Sequence, residues 1–167
     1  LSRGMAAYAL ADGCEGHVVS VKTWRIPRCH GHWVDIGSGG GFPGIVAAIL
    51  GFHQKAQFTL VESDQRKSAF LRTVIRELSL NAKVETARIE EIAALEADIL
   101  SARALSDLDQ LLGFADRHLR SGGVALFPNG AKWLEEVSQA NRNWASTPTP
   151  IPSKPTPEAA ITQNHEH

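Results

Sequence analysis

Residues 32–44 read H-W-V-D-I-G-S-G-G-G-F-P-G, and this stretch decides the fold. His32-Trp33-Val34-Asp35-Ile36 has the composition of a strand that runs into a glycine loop. Gly37, Gly39 and Gly41 alternate along that loop, so the backbone can approach a ligand without Cβ clashes. Pro43 stands where a helix would start and Gly51 where it would stop. Residues 45–50 between them are apolar on every side, which predicts a well-buried helix.

Two cofactor classes compete for such a loop. A dinucleotide loop requires G-x-G-x-x-G from the end of the strand. Counted from Gly37, the third glycine position is Phe42; counted from Gly39, the pattern fits through Gly41 and Gly44 but begins two residues late. Pro43 also removes one N–H from the turn that would hold a pyrophosphate. The methyltransferase pattern, acidic-x-G-x-G-x-G, fits in register from Asp35. S-adenosylmethionine has no phosphate, so the proline costs it little. Glu62 ends the next strand, 25 residues after Gly37, where a carboxylate can accept ribose hydroxyl protons in either class.

Outward from the loop, residues 57–62 form the next expected strand. Ser63 or Asp64 caps a helix carrying Phe70, Leu71, Val74, Ile75 and Leu78 as its apolar stripe. Arg66, Lys67, Arg72 and Arg76 read as a solvated helix face. Residues 83–87 and 98–102 are further strands, and Ser106 caps a helix with Leu108, Leu111, Leu112, Ala115 and Leu119 on one side. Ser121-Gly122-Gly123 turns the chain into a strand over 124–127, followed by a helix over 132–144. Five of the eight prolines fall in 146–157, a loop leading to a last strand near 159–162. Strand and helix alternate from residue 32 to 144. The expected architecture is therefore α/β and Rossmann-like, a mainly parallel sheet with helices on both faces. Residues 5–11 could be helical. Residues 1–31 are set apart as an N-terminal segment whose native neighbours could be missing, and 32–167 as the cofactor-binding domain.

Composition fits one globular domain: 167 residues, 43% hydrophobic and 21% charged. A net charge of -1 gives no bulk argument for a nucleic-acid partner. No apolar run approaches the ~18 residues of a membrane span. Two cysteines, Cys14 and Cys29, imply no disulfide framework, and the expected compartment is a reducing cytoplasm. The seven histidines form no zinc pattern, and no metal is expected. Trp24, Trp33, Trp133 and Trp144 read as core or anchor residues.

D-I-G-S-G-G-G-F-P-G-I-V, L-V-E-S-D-Q-R-K-S-A-F-L-R, A-R-I-E-E-I, S-A-R-A-L and L-F-P-N-G occur in that order. Together they resemble the bacterial 16S rRNA guanine-N7 methyltransferase G family, also called the glucose-inhibited division protein B family. The resemblance covers residues 32–144. It implies a class I fold, S-adenosylmethionine as cofactor, and transfer to N7 of one guanine in 16S ribosomal RNA or the small subunit; a monomer is expected. It implies a cofactor site of Asp35, Gly37, Ser38, Gly39, Gly41, Phe42, Glu62, Ile89, Glu90 and Arg103, with Gly37 and Phe42 toward methionine and ribose. Glu62 would bind the ribose and Ile89 and Glu90 would border the adenine. Arg103, at the mouth, would be the catalytic positioning residue. Asn129 stands where the family usually has lysine.

The residues fit that chemistry. Guanine N7 offers a free lone pair and needs no deprotonation, so no general base is expected. The P-P pair that serves exocyclic amines is absent, and neither cysteine has the setting of a C5-pyrimidine nucleophile. Arg88 and Arg103 each lie near a strand end on the ligand side. Arg103 could pair with a carboxylate or phosphate or donate to guanine O6. Arg88 and Lys132 are candidates for RNA contact. A methyltransferase with another substrate and an NAD(P)-binding oxidoreductase remain the alternatives.

Overall fold

The computed structural model describes residues 6–11, 31–51, 56–103 and 105–129. In chain order the elements are β1 (Ala6–Ala11), β2 (His32–Ile36), α1 (Gly44–Leu50), β3 (Gln57–Val61) and α2 (Gln65–Glu77). They continue with β4 (Ala82–Glu85), a 3-10 turn (Ile89–Glu91), β5 (Ala97–Ala102), α3 (Leu108–His118) and β6 (Leu119–Asn129). One sheet runs in the order β1-β6-β5-β2-β3-β4, with every pairing parallel. From β2 the chain winds outward to β3 and β4, then returns to the other side of β2 as β5. That reversal opens a crevice at the carboxyl ends of β2 and β5, the place where open α/β sheets bind ligands.

Helices cover both faces, as expected. Val34 and Ile36 of β2 join Leu100, Ala125 and Phe127 under Leu108, Leu111, Leu112 and Ala115 of α3. Trp33, Phe58 and Ile99 face the other way, against Ala47 and Ala48 of α1. Leu60 meets Ile45 of α1 and Leu71 of α2 on that same side. Trp33 stacks on Phe58 with ring centroids 5.7 Å apart.

Several local readings change. Residues 6–11 are not helical: they form a strand paired with β6 from Ala6–Val124 to Ala11–Asn129. Alanine's helix preference is small, and a ladder partner over 100 residues away overrides it. Helix α1 is not buried all round, because Ile49 is 45% exposed while Ile45, Ala47 and Ala48 are buried. On α2 Ser68 and Leu71 are buried and Val74 and Ile75 pack partly buried beside them, while Phe70 and the C-cap Leu78 are 53% and 50% exposed. The helix touches the sheet along a narrower stripe than its apolar residues suggest. Asp64 caps α2, accepting from the Arg66 and Lys67 amides at 2.8 and 3.0 Å. Asp107, not Ser106, caps α3 by accepting from Gln110 N at 2.9 Å. Residues 121–123 are no turn between elements. They are an irregularity inside β6, with Gly122 at φ 73° and a register shift opposite Ala97 and Ile99. Leu119 consequently opens β6 rather than extending α3. The helix over 132–144, the strand near 159–162, both cysteines and Lys132 lie outside the described residues.

Candidate functional site

Asp35, near the end of β2, is fully buried. Its Oδ1 accepts from Ser101 Oγ at 2.5 Å, and Ser101 Oγ accepts from Trp33 Nε1 at 2.9 Å. Its Oδ2 accepts from Gly44 N at 3.3 Å. Burial pushes its pKa up to about 6, against the pull of Ser101, Ser38, the Gly44 amide and the Arg103 charge. Asp35 therefore ties the first residue of α1 back to the strand beneath it. A Cβ on Gly44 would lie 2.4 Å from Leu60 Cδ2 and 2.6 Å from Asp35 Oδ2, so only glycine allows this approach.

Five amides of the loop above Asp35 are bonded within the protein. Ser38 N donates to Val61 O, Gly39 N to Glu62 Oε2, Gly41 N to Ser38 O, Gly44 N to Asp35 Oδ2 and Ile45 N to Gly41 O. Pro43 has no amide proton to offer. A pyrophosphate cradle needs several free amides aimed at the ligand. This loop is built to present its backbone surface instead.

That surface bounds a cleft of about 420 Å³ at the carboxyl ends of β2 to β5. Of the expected site residues, Gly37, Gly39, Glu62, Arg88, Ile89, Glu90 and Arg103 line it together. Asp35, Ser38 and Gly41 do not: they are buried under the loop. Ser38 Oγ donates to Asp35 O at 2.9 Å, which turns this hydroxyl inward. Phe42 is 41% exposed and lies outside the lining. The Glu62 carboxylate, 7% exposed, is held at both oxygens, by Gly39 N at 2.8 Å and Asp64 N at 2.9 Å. An ionised carboxylate has about four acceptor positions, so each oxygen keeps capacity for a ligand hydroxyl. Gly39 sits at φ 52° and its Cβ direction meets only Gly37 O, at 3.8 Å. The cleft has the volume of a small-molecule site.

Eight lining residues are not among the expected site residues: Val61, Ser63, Lys67, Ala87, Leu105, Ser106, Gln110 and Phe114. Lys67, read as part of a solvated face, borders the cleft from the first turn of α2. Val61, Ser63 and Ala87 adjoin the ends of β3 and β4, Leu105 and Ser106 lie between β5 and α3, and Gln110 and Phe114 lie on α3; the rule that ligands sit beyond parallel strand ends flags these connections. Among the described residues, no group of three or more His, Cys, Asp or Glu could hold a metal ion, and no helix could cross a membrane.

The model for the rRNA small subunit methyltransferase G family, GidB, matches residues 17–159. The chain belongs to this family. It is 48% identical over 156 residues to the ribosomal RNA small subunit methyltransferase G of Ruegeria pomeroyi, covering 92% of this chain and 76% of that protein. A Ruegeria sp. relative of the same name is 50% identical over 133 residues, covering 78% and 65%. The chain thus spans about two thirds to three quarters of the length of these relatives. A methyltransferase from Geobacter sulfurreducens, solved with S-adenosyl-L-homocysteine, superposes with a TM-score of 0.56 at 14% identity, over 86% of this chain and 52% of that one. The fold is the class I, Rossmann-like methyltransferase fold. Family members are S-adenosylmethionine-dependent methyltransferases, and S-adenosylmethionine is the cofactor of this chain.

Proposed function

We propose that this chain methylates N7 of a single guanine in 16S ribosomal RNA. The observation that carries the cofactor half of this reading is the internal bonding of the Ser38, Gly39, Gly41, Gly44 and Ile45 amides beside a proline that has none, which suits a phosphate-free nucleoside. S-adenosylmethionine, when bound, supplies an electrophilic methyl group on a sulfonium sulfur. Glu62 accepts the ribose hydroxyls with the lone pairs its two amide bonds leave over. Ile89 and Glu90 border the adenine. Gly37 and Gly39 admit the methionine end against bare backbone.

The substrate half follows from family membership and from the chemistry of the acceptor. Guanine N7 attacks as it stands, so the protein's task is alignment and exclusion of water. Arg103, half-buried at the cleft, positions the acceptor there. Arg88, exposed on the rim, meets RNA phosphate, and Lys132 is assigned the same task. The partner is 16S rRNA or the small subunit that contains it, met by a monomer in the cytoplasm. Two measurements test this. Calorimetry should detect S-adenosylmethionine and no NAD; the reverse result removes the cofactor assignment. Nuclease digests of 16S rRNA from a deletion strain should lack one 7-methylguanosine. Full retention of that nucleoside removes the substrate assignment.

A further inference from the structure

We propose that Arg117 is a positioning residue that fixes the adenine-side wall of the cleft. The inference rests on the reading above, in which Ile89 and Glu90 border the adenine. That wall has little backbone support. The β3–β4 ladder ends at Val61 and Glu85, and residues 87–96 belong to no strand. Among the described residues, the backbone–backbone hydrogen bonds of 87–96 are internal: Glu91 N to Arg88 O at 3.0 Å and Ile92 N to Ile89 O at 3.3 Å. Ile89, Ile92 and Leu95 pack on the core under α3, which sets depth but not rotation of the turn.

Arg117, the penultimate residue of α3, supplies the directional restraint. Its Nη1 donates to Glu90 O at 3.0 Å and its Nη2 to Ile92 O at 2.8 Å. Those carbonyls close a 3-10 turn, where acceptors lack partners and a cation is favoured. The planar guanidinium spans two acceptors at once, which a lysine ammonium on a flexible stem does not reproduce. The neighbouring His118 is fully buried beneath the turn. Its ring packs against the Ile89 backbone of the same turn, and Arg117 adds the two directed bonds that hold the turn in register with α3.

The test is calorimetry on the full chain with S-adenosylhomocysteine and with methylthioadenosine, which keeps the nucleoside and lacks the amino-acid tail. R117A should weaken both by the same factor, about tenfold for two lost charge-assisted bonds near the surface. R117K should recover part of that loss. In turnover, the KM for cofactor should rise about tenfold while kcat falls less than threefold. Unchanged affinity for both probes overturns the proposal, as does a loss confined to S-adenosylhomocysteine. If R117A does not fold, R117K carries the test: wild-type affinity for both probes overturns the proposal equally. Failure of the wild-type protein to bind either probe would instead sink the reading of the cleft itself.

Discussion

Asp35→Asn isolates the charge buried under the glycine loop. In the folded protein burial raises the Asp35 pKa from 3.8 to about 6. The folded state therefore holds a proton more tightly than the unfolded chain between those two values. By linkage, stability falls as pH rises through that window, and the full penalty is present above pH 6. A rise of this size corresponds to about 3 kcal/mol. Asparagine can still accept from Ser101 Oγ, but its amide would face the Gly44 N–H, a mismatch costing about 1–3 kcal/mol at every pH. The offset is constant and the slope is the signal. Urea unfolding of both proteins without cofactor, from pH 4 to pH 7.5, should show wild type losing about 3 kcal/mol relative to Asp35→Asn as pH rises. The comparison cancels carboxylates present in both proteins, such as Asp64, whose pKa is lowered by the Lys67 and Arg66 amides and which acts in the opposite sense. A difference that stays flat across the window, or that grows in favour of wild type, would refute the account of Asp35 as a charge held at a cost.

Gly44→Ala should destabilise the fold by about 1–3 kcal/mol through overpacking, since its Cβ would sit 2.4 Å from Leu60 Cδ2; a wild-type melting temperature would contradict this. Gly39→Ala meets open space instead, so it should cost only about 1–2 kcal/mol of backbone strain at φ 52°. Gly39 lines the proposed cofactor cleft, so S-adenosylhomocysteine affinity should drop more than tenfold; unchanged affinity would place the ligand elsewhere. Arg103→Ala should lower kcat at saturating cofactor by about a hundredfold, the scale of lost positioning. A large drop in melting temperature with normal turnover would show Arg103 to be structural.

The strand–loop–helix core was legible because its signals are local. Pro43 and Gly51 mark the ends of α1, and Asp64 caps α2 within three residues of what it caps. The failures are non-local. Strand β1 depends on a partner more than 100 residues downstream. Phe70 and Leu78 belong to a stripe of helical period, but how much of that stripe the sheet covers is decided by tertiary packing. Asp35 belongs to the glycine-loop motif, and its carboxylate turns to Ser101 and the Gly44 amide beneath the cleft. Both faces of β2 are covered, so no in–out alternation told which way its carboxylate points.

Seven expected residues line the cleft, but the contacts that brace its walls are not legible in the sequence, for a related reason. Beyond the strand ends the ladder stops, and backbone groups there must find other partners or remain unsatisfied. In this chain charged side chains supply them: Asp35 to the Gly44 amide, Glu62 to the Gly39 and Asp64 amides, Arg117 to the Glu90 and Ile92 carbonyls. Each such bond joins a side chain to a main-chain atom, so only one end has a residue type that a motif could record. Arg117 is 25 and 27 positions from its two acceptors, and any residue other than its own could change without altering them. A cofactor wall held this way tolerates sequence drift on one side of every contact. It also makes the charged partner indispensable, because removing it leaves acceptors or donors at the cleft with nothing in the ladder to take them up.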